Sequence, residues 1–322
     1  MRFFITGGAG FIGSNYIEYL IKHEKDLNGI TIYDNFTYAA NSKNYETVSK
    51  DSRLSVIKGD ICDFDLLKKS MLDHEIVINF AAESHVDNSI LNANKFIQTN
   101  ITGTFNVLEA SRRSGINTVI QISTDEVYGS IIDGSADENF PLLPNSPYAA
   151  SKASGDLIAR SYYITHGIDV RITRSCNNYG KYQFPEKIIP LFINKLLCNE
   201  KLPIYGDGNN SREWIHVSDH AHGIQTVLEK GRAGEIYNIG SGFSLTNNQV
   251  ANQISEAMNI VDDRRLFVED RKGHDQRYSV DTKKISNLGF KPQINFDQGL
   301  QETLNWYIKN PGWWNSIPRG IS

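Results

Sequence analysis

The sequence predicts an α/β protein in which a doubly wound parallel sheet is followed by a smaller C-terminal lobe. In the first part of the chain, short runs of β-branched and aromatic residues alternate with helix-periodic stretches, a pattern typical of parallel sheets. A glycine-rich turn follows the first of these runs directly. After about residue 176 the alternation lapses, and turns rich in proline, glycine and asparagine become more frequent.

The strand and helix signals give a provisional division of the chain. Six strands are predicted at 3–6, 30–34, 54–60, 76–81, 118–124 and 169–175, with helices at 11–23 and 96–114 among the segments between them. A further buried strand at 234–241 indicates a return to the first sheet. We therefore expect a nucleotide-binding domain over 1–175, rejoined by about 214–243, and a substrate-binding lobe over 176–322.

The composition indicates which kind of molecule the protein binds and in which cellular compartment it is found. The net charge is −4, from 33 basic and 37 acidic residues, and no basic block suggests a nucleic-acid or membrane surface. Cys62, Cys176 and Cys198 are few and far apart, which argues against a disulfide framework and fits a reducing cytosol. No apolar run approaches ~18 residues, and glycines appear too early for a signal peptide. A soluble cytoplasmic protein with a small-molecule partner is expected.

The glycine-rich turn has the spacing of a dinucleotide site. Gly7, Gly10 and Gly13 lie three apart between the first strand and the first helix. The first permits the tight turn, the second lets the backbone approach a pyrophosphate, and the third lets the helix pack on the strand. Asp34 ends the second strand, where a carboxylate accepts hydrogen bonds from a ribose, and Asn35 supplies no cation for a 2′-phosphate. NAD is therefore favoured over NADP.

Other strand ends fall where such sheets bind ligands. Asp60 and Ile61 follow the third strand and are placed beside the adenine, whereas Ala81, Ala82 and Ser84 follow the fourth and approach the ribose and nicotinamide. Taken alone, each position is equally well explained as an ordinary loop.

The segment NSPYAASK indicates a helix start with a reactive pair. Ser146 is a suitable N-cap, and Pro147 occupies the first helical position. Tyr148 and Lys152 are four apart and share one helical face. A nearby ammonium stabilises a phenolate and lowers the tyrosine pKa from ~10, so Tyr148 becomes a base for a hydroxyl proton. Surface packing is the plain alternative for such a pair.

The stretch STDEVYG at 123–129 allows two interpretations. Ser123 followed three residues later by Glu126 fits a capping box, and acids in a first turn suit the helix dipole. Alternatively, Asp125 and Glu126 end a strand at the ligand-binding edge of the sheet and form an acid and a base for chemistry. Both interpretations are compatible.

These motifs together resemble the extended short-chain dehydrogenase/reductase family over essentially the whole chain. Within it, the Thr-Asp-Glu triplet and four further segments, 81–90, 177–192, 202–223 and 270–281, are similar to the dTDP-glucose 4,6-dehydratases. The resemblance implies a Rossmann domain that holds NAD, a nucleotide-sugar lobe and a homodimer. It also implies a lyase that converts dTDP-glucose to a 4-keto-6-deoxy sugar and water.

The resemblance assigns roles to the reactive residues. Tyr148 is the base for oxidation at C4, assisted by Lys152, while Thr124 and Ser123 hydrogen-bond the C4 oxygen. Glu126 removes the C5 proton, and Asp125, kept protonated, donates to the departing C6 hydroxyl. Hydride returns to C6.

The resemblance also implies two sets of contacts. The cofactor set is Gly7, Gly10, Phe11, Ile12, Gly13, Asp34, Asn35, Thr37, Asp60, Ile61, Ala81, Ala82, Ser84, Thr99, Ser123, Tyr148, Lys152, Cys176 and Asn178. The substrate set is Ser84, Thr124, Asn177, Lys187, Ile188, Pro203, Ile204, Tyr205, Arg212, Asn247, Arg271, His274 and Tyr278. Without the resemblance, the segment around Arg271 is simply a solvated charged loop.

Some features depart from the family pattern or compete with it. Lys181, Asn88 and Ala40 replace a proline, an arginine and a glycine that are common in the family. The histidines of HVSDHAH (216–222) lack a zinc-protease glutamate and are expected to be structural or superficial, with no metal. The rival functions are a nucleotide-sugar 4-epimerase, a dehydratase of a UDP- or CDP-sugar, and a non-catalytic NAD-binding regulator.

Overall fold

The computed structural model describes residues 1–314 and contains three sheets. The strands are β1 Arg2–Thr6, β2 Gly29–Asp34, β3 Leu54–Lys58, β4 Ile76–Asn79, β5 Thr118–Thr124, β6 Asp169–Ser175, β7 Asn177–Tyr179, β8 Leu202–Tyr205, β9 Ser211–His216, β10 Ile236–Ile239, β11 Ser244–Thr246 and β12 Arg265–Val268. The α-helices are α1 Phe11–His23, α2 Phe64–Ser70, α3 Val86–Leu91, α4 Asn94–Phe96, α5 Thr104–Arg113, α6 Pro147–His166, α7 Ile188–Leu197, α8 Val217–Lys230, α9 Asn247–Ala257, α10 Lys283–Ser286, α11 Phe296–Lys309 and α12 Pro311–Trp314.

The main sheet has seven strands in the order β10-β6-β5-β4-β1-β2-β3, and every neighbouring pair is parallel. Because β1 pairs with both β2 and β4, the strand order reverses beside β1. Ligands of doubly wound sheets bind at the carboxyl ends of the strands next to such a reversal. The predicted fold class is confirmed.

The sheet is covered on both faces, as its alternating side chains require. In β1, Phe3 and Ile5 belong to the core formed with α1 and α8, whereas Phe4 lies in the opposite core, which contains Val107 of α5 and Ala159 of α6. Successive strand residues point to opposite faces, so a sheet buried on both sides reads as a continuous apolar run. This explains the uninterrupted run at residues 3–5.

A second set of strands lies outside the main sheet. It comprises the three-stranded sheet β11-β9-β7 and the parallel pair β12-β8. Helices α7, α9 and α11 share an apolar core with these strands, which includes Phe192, Trp214, Val250 and Leu300. We call these strands and helices, with the loop 269–278, the C-terminal lobe.

The chain passes between the main sheet and this lobe more than once. It leaves after β6, enters β7 at Asn177, and returns through α8 to β10, which pairs with β6. The domain limits at 175 and 176 stay a prediction, and residues 315–322 of the predicted second lobe lie outside the described residues.

The two helices that border the site differ in regularity. The predicted helix at 96–114 is interrupted by a π-helical segment, Ile97–Gly103, before α5 begins. Within this segment the side chain of Asn100 is fixed by Glu83 and by the Ser151 hydroxyl at 2.8 Å, and local π geometry is frequent near functional sites. By contrast, α6 begins as predicted: Ser146 caps it by accepting a hydrogen bond from Ala149, and Pro147 is its first residue.

Candidate active site

The glycine turn leaves no room for side chains. Gly7 has φ +67°, and a Cβ atom there would lie 2.6 Å from the backbone nitrogen of Ala81. A Cβ atom on Gly13 would lie 2.6 Å from the Gly7 carbonyl oxygen. Gly10 forms the N-cap of α1 and leaves its first amides without a side-chain partner, and residues 10–13 line the cavity described below. This arrangement suits a phosphate group.

Two backbone hydrogen bonds fix the Asp34 carboxylate at the end of β2. Its carboxylate accepts hydrogen bonds from the backbone of Ala9 at 3.0 Å and of Phe36 at 2.8 Å. Burial raises the pKa of Asp34, and these two hydrogen bonds oppose that rise. Next to it, the Asn35 amide donates to Asp60 at 2.8 Å. The ends of β2 and β3 thus present fixed carboxylates, and within residues 1–314 no cation lines the cavity at this end.

One cavity of about 310 Å³ runs from the glycine turn to the carboxyl ends of β4, β5 and β6. All nineteen residues of the predicted cofactor set line it. Four of the predicted substrate set, Ser84, Thr124, Asn177 and Lys187, line it as well. The five predicted catalytic residues, Thr124, Asp125, Glu126, Tyr148 and Lys152, lie at its inner end.

The acidic stretch forms a single short turn rather than the expected capping box. Thr124 caps the 3₁₀ helix Asp125–Tyr128, accepting from the Glu126 amide at 3.3 Å. Ser123 remains in β5, and its hydroxyl has no hydrogen-bond partner among residues 1–314. The stretch does cap a helix, but the specific capping box was wrong, because Thr124 and not Ser123 accepts the hydrogen bond from the Glu126 amide. Instead, both acids lie at the strand end.

The two acids have different surroundings. Asp125 is 3% exposed, and the Thr124 hydroxyl lies 3.3 Å from its Oδ1. Burial raises the pKa of Asp125 well above its ordinary value, and the carboxylates of Glu126 and Glu213 raise it further. Burial also raises the pKa of Glu126, but Lys187, Arg212 and Arg271 oppose it. Both pKa values are therefore raised, but Asp125 is the group held more strongly in its protonated form, because three cations offset part of the rise at Glu126.

Tyr148 and Lys152 face the same end of β5. The Lys152 ammonium donates to the Ile122 carbonyl at 2.6 Å, and burial lowers its pKa to about 8. Tyr148 shares a hydrogen bond with Thr124 that favours its phenolate. However, burial raises the pKa of Tyr148, and the charges of Glu126 and Asp125 raise it further. The pKa therefore moves opposite to the expected direction, because burial and the two carboxylates outweigh the Thr124 hydrogen bond.

The C-terminal lobe brings two predicted substrate residues to the acids. The Tyr278 hydroxyl donates to Asp275 at 2.8 Å and lies 3.5 Å from Glu126 Oε2. The Arg212 guanidinium stacks 4.2 Å above the Tyr278 ring and donates to the Asp275 carbonyl at 2.8 Å. Although neither Tyr278 nor Arg212 lines the cavity itself, both border its catalytic end.

The other predicted substrate residues do not line the cavity. Arg271 pairs with Asp87, and His274 with Asp270 at 2.7 Å. Ile204 is 1% exposed within the core of the C-terminal lobe, so its side chain contacts that core rather than the cavity. The remaining four, Ile188, Pro203, Tyr205 and Asn247, lie at the start of α7, in β8 and at the start of α9.

Sequence reasoning missed several residues at the site. Glu186 and Gln183 line the cavity, and burial raises the pKa of Glu186 to about 7. Glu186 directly precedes Lys187 in the segment 177–192, which is similar to the dehydratases. Its position next to a predicted substrate residue could therefore have identified it. His220 also lines the cavity and is fully buried, although it was expected to be structural or superficial. Its neighbours behave as expected: His216 caps α8, and His222 packs against Phe290.

The three departures from the family pattern have identifiable surroundings. Lys181 forms an ion pair with Glu18 of α1. Asn88 hydrogen-bonds the Tyr38 hydroxyl, and Ala40 lines the cavity near the glycine turn. None of the three contacts Asp125 or Glu126 through a recorded hydrogen bond or ion pair among residues 1–314.

The cavity presents polar atoms that the protein itself does not satisfy. Within residues 1–314, Ser123 Oγ, Asp125 Oδ2, Asn178 Oδ1 and Gln183 Oε1 are buried without a hydrogen-bond partner. All four residues line the cavity. Buried polar atoms are rarely left unpaired, so these fit a polar ligand such as a dinucleotide with its amide and ribose groups. The same described part of the chain shows no cluster of three or more metal-ligating side chains and no helix able to cross a membrane.

Comparisons with known proteins agree on one family. The sequence profile described as GDP-mannose 4,6 dehydratase matches residues 4–303. A dTDP-glucose 4,6-dehydratase from Actinoplanes sp. is 47% identical over 319 residues, which cover 98% of this chain and 100% of that protein.

Solved structures give the same result. The crystal structure of DesIV, a dTDP-glucose 4,6-dehydratase from Streptomyces venezuelae with NAD bound, superposes with a TM-score of 0.97 at 49% identity and covers 99% of this chain and 100% of that chain. That of a dTDP-glucose 4,6-dehydratase from Bacillus anthracis, in complex with NAD, gives a TM-score of 0.91 at 41% identity, with 99% and 100% covered.

Proposed function

Because this chain belongs to the family of the dTDP-glucose 4,6-dehydratases, within the short-chain dehydrogenase/reductase proteins, we propose that it removes water from dTDP-glucose to give dTDP-4-keto-6-deoxyglucose. It is an NAD-dependent hydro-lyase. The observation that carries the proposal is the pair Asp125 and Glu126, adjacent at the end of β5 and in one cavity with Tyr148.

The cavity fits NAD at its glycine-turn end. The close backbone approach at Gly7, the open amides of α1 and the fixed carboxylate of Asp34 suit a pyrophosphate and an adenosine ribose. When bound, NAD supplies the hydride acceptor for oxidation at C4 and the hydride donor for reduction at C6. All other tasks fall to side chains of this chain.

Oxidation at C4 requires that the C4 hydroxyl lose its proton. Tyr148 is the group placed for this, since it shares a hydrogen bond with Thr124 and lies one helical turn before Lys152. Thr124 can hydrogen-bond the C4 oxygen as well. Lys152, tied to the Ile122 carbonyl, keeps a positive charge near the phenol.

Elimination requires an acid and a base at neighbouring carbons. The C4 ketone acidifies the C5 proton, which Glu126 removes. Asp125, whose pKa is raised mainly by burial, donates its proton to the departing C6 hydroxyl, and that oxygen leaves as water. One side chain cannot easily do both, which explains why two adjacent acids with different pKa shifts are present. When hydride returns to C6, Glu126 can give the proton back to C5, which completes the 4-keto-6-deoxy product.

The substrate's diphosphate and base are assigned to the C-terminal lobe. Arg212 offers a guanidinium fork beside Tyr278, and Lys187 lines the cavity while donating to the Ser84 carbonyl at 2.7 Å. Guanidinium groups bind phosphate oxygens in a bidentate manner. These two cations, with Arg271, provide positive charge where a nucleoside diphosphate is expected.

The test is product formation from three nucleotide sugars. Purified protein is incubated with dTDP-, UDP- or CDP-glucose, and a mass loss of one water identifies the 4-keto-6-deoxy product. Conversion of dTDP-glucose in preference to the others is expected. Release of the C4 epimer would indicate an epimerase, and bound NAD without any turnover would indicate a regulator. Either result contradicts the proposal.

A homodimer is part of the same proposal. Leu91, Ile97 and Phe105 are 77%, 50% and 44% exposed, and Leu157 and Ile164 on α6 are 59% and 62% exposed. Apolar surface on neighbouring helices is typical of subunit contacts. Light scattering after size exclusion is expected to give twice the chain mass for the wild type and for Ile132→Glu, which alters an exposed residue elsewhere. Leu157→Glu is expected to give a monomer, and a monomeric wild type contradicts this part.

A cytoplasmic location is also proposed. It is supported by Cys62 and Cys176, neither of which is in a disulfide. Subcellular fractionation tests the location, and recovery of the protein in an extracytoplasmic fraction contradicts it.

A further inference from the structure

An ion pair joins helix α3, which follows strand β4 of the main sheet, to the C-terminal lobe. Asp87 Oδ1 lies 2.6 Å from Arg271 Nε, and Arg271 Nη2 donates to Asp87 Oδ2 at 2.9 Å. The carboxylate thus lies along one edge of the guanidinium, with a hydrogen bond from Nη2 and a close ion-pair contact at Nε. The side chains are 30% and 21% exposed, so the pair is sheltered more than a typical surface contact.

Tyr205 completes this contact. Its hydroxyl donates to Asp87 Oδ2 at 3.4 Å, and the Arg271 guanidinium carbon lies 5.0 Å from the centre of its ring. A single carboxylate from α3 therefore holds two side chains of the C-terminal lobe, one at the end of β8 and one in the loop after β12. Three groups that each fix the other two form a more rigid unit than an isolated ion pair.

The Arg271 guanidinium also acts on the catalytic end of the cavity. Its charge opposes the rise in the pKa of Glu126 and contributes to lowering that of Lys187. Residues 81–84, which precede α3 in the chain, line the cavity. The contact between Asp87 and Arg271 is consequently at the cavity's edge, where main-sheet and lobe residues meet.

An aspartate beside an anion-binding arginine can change the affinity for a diphosphate in either direction. Its charge repels a diphosphate, so removing it strengthens binding. Alternatively, it fixes an otherwise flexible arginine, so the ligand does not have to order that side chain, and removing it weakens binding. The side-on geometry favours the second consequence, because Asp87 lies along one edge of the guanidinium and accepts a hydrogen bond from Nη2 alone, which leaves other donors of the fork for a ligand.

We propose that Asp87 is a positioning residue that holds Arg271 and Tyr205 ready for the nucleoside diphosphate of the substrate. The proposal rests on the proposed function, since it assumes that a nucleoside diphosphate binds between the cavity and these side chains. Asp87 does not itself contact the substrate. Its removal is therefore expected to weaken binding of the substrate and to leave the rate of the chemical step largely unchanged.

The test measures dTDP binding to the NAD-loaded protein by isothermal titration calorimetry. Asp87→Ala and Asp87→Asn are expected to weaken dTDP binding about threefold to tenfold, the cost of ordering one or two side chains. KM for dTDP-glucose is expected to rise by a similar factor, and kcat to change by less. Asp133→Asn, at an exposed loop carboxylate, serves as the matched control with unchanged affinity.

A double variant separates positioning from a general structural effect. Arg271→Ala alone is expected to weaken dTDP binding, and adding Asp87→Ala to it is expected to cause a smaller further loss than Asp87→Ala causes in the wild type, because only the contact with Tyr205 is then left to lose. Additive losses, unchanged affinity or tighter binding in Asp87→Ala each overturn the inference. If the wild type itself does not bind dTDP, the proposed function fails as well, so the two failures are distinguishable.

Discussion

The Lys152 ammonium donates a hydrogen bond of 2.6 Å to the backbone carbonyl of Ile122, two residues before Thr124. This contact ties α6 to the end of β5. Since Tyr148 lies one turn earlier on α6, the same tie places its ring beside Thr124 and the two acids. One lysine thereby couples the groups assigned to oxidation with those assigned to elimination.

Lys152→Met removes both the tie and the buried charge. The pKa of Lys152, lowered to about 8 by burial, leaves it largely protonated at neutral pH, where its charge favours the Tyr148 phenolate. We expect C4 oxidation to slow by roughly 10²-fold or more. The measurement is the rate at which reduced nicotinamide appears after mixing with dTDP-glucose. Lys201→Met, at an exposed position, is expected to behave like the wild type, and an unchanged rate in Lys152→Met contradicts the assignment.

Asp125→Asn is expected to stabilise the fold in a pH-dependent manner. Burial raises the pKa of Asp125 above 3.8, so the folded protein keeps a proton that the unfolded chain releases. The folded state then binds more protons, and the stability contribution of Asp125 falls as the pH rises above about 3.8. The free energy of unfolding of Asp125→Asn should therefore exceed that of the wild type near pH 7, and the difference should shrink towards pH ~4.

Urea denaturation at several pH values measures this difference. A variant that is less stable than the wild type at neutral pH contradicts the raised pKa, as does a difference independent of pH. Such a gain in stability with loss of function is common at strained catalytic groups.

Tyr278→Phe is expected to impair turnover without unfolding the site. The Tyr278 hydroxyl donates to Asp275 at 2.8 Å and lies 3.5 Å from Glu126, so it helps to orient the base. Loss of one hydrogen bond to a charged group corresponds to about tenfold to a hundredfold in kcat. Steady-state kinetics with dTDP-glucose measure the effect. The phenylalanine ring keeps the stacking surface for Arg212, so a rise in KM alone contradicts the orienting role.

Gly7→Ala is expected to remove NAD. A Cβ atom would lie 2.6 Å from the Ala81 nitrogen, and φ at this residue is +67°. The strained backbone costs about 1–3 kcal/mol, and the turn must shift away from the pyrophosphate position. The cofactor content of the purified variant, read by absorbance after denaturation, should fall well below that of the wild type. Gly115→Ala, which has open space around it, provides a control for stability without cofactor loss.

The sequence predicted those parts of the fold and site that depend on local spacing. The parallel pairing of the main sheet follows from the alternation of strands and helices, and the glycine turn and Ser146 cap depend on neighbouring residues alone. The seven-stranded parallel sheet confirms the fold class. The end of β5 at residue 124 was predicted correctly, but the spacing of Ser123 and Glu126 indicated Ser123 as the cap, whereas Thr124 caps the turn.

Other features depend on contacts between distant segments, which spacing cannot show. Asp87 and Arg271 are far apart in the chain, and no motif predicts that they meet. The direction of the Tyr148 pKa was wrong for a similar reason: the expectation considered Lys152 alone, whereas burial and two neighbouring carboxylates dominate. The cavity position of His220 likewise follows from the packing of α8 on the main sheet.

The central claim is that Asp125 and Glu126 perform the elimination while Tyr148 performs the oxidation. It is tested most directly by rapid mixing of dTDP-glucose with Asp125→Asn and with Glu126→Gln, following reduced nicotinamide and water loss in the same turnover. We expect reduced nicotinamide to form at a near-normal rate and water loss to slow by roughly 10²–10⁴-fold in each variant. Dehydration at the wild-type rate in both variants would contradict the account and leave the two acids as part of a turn.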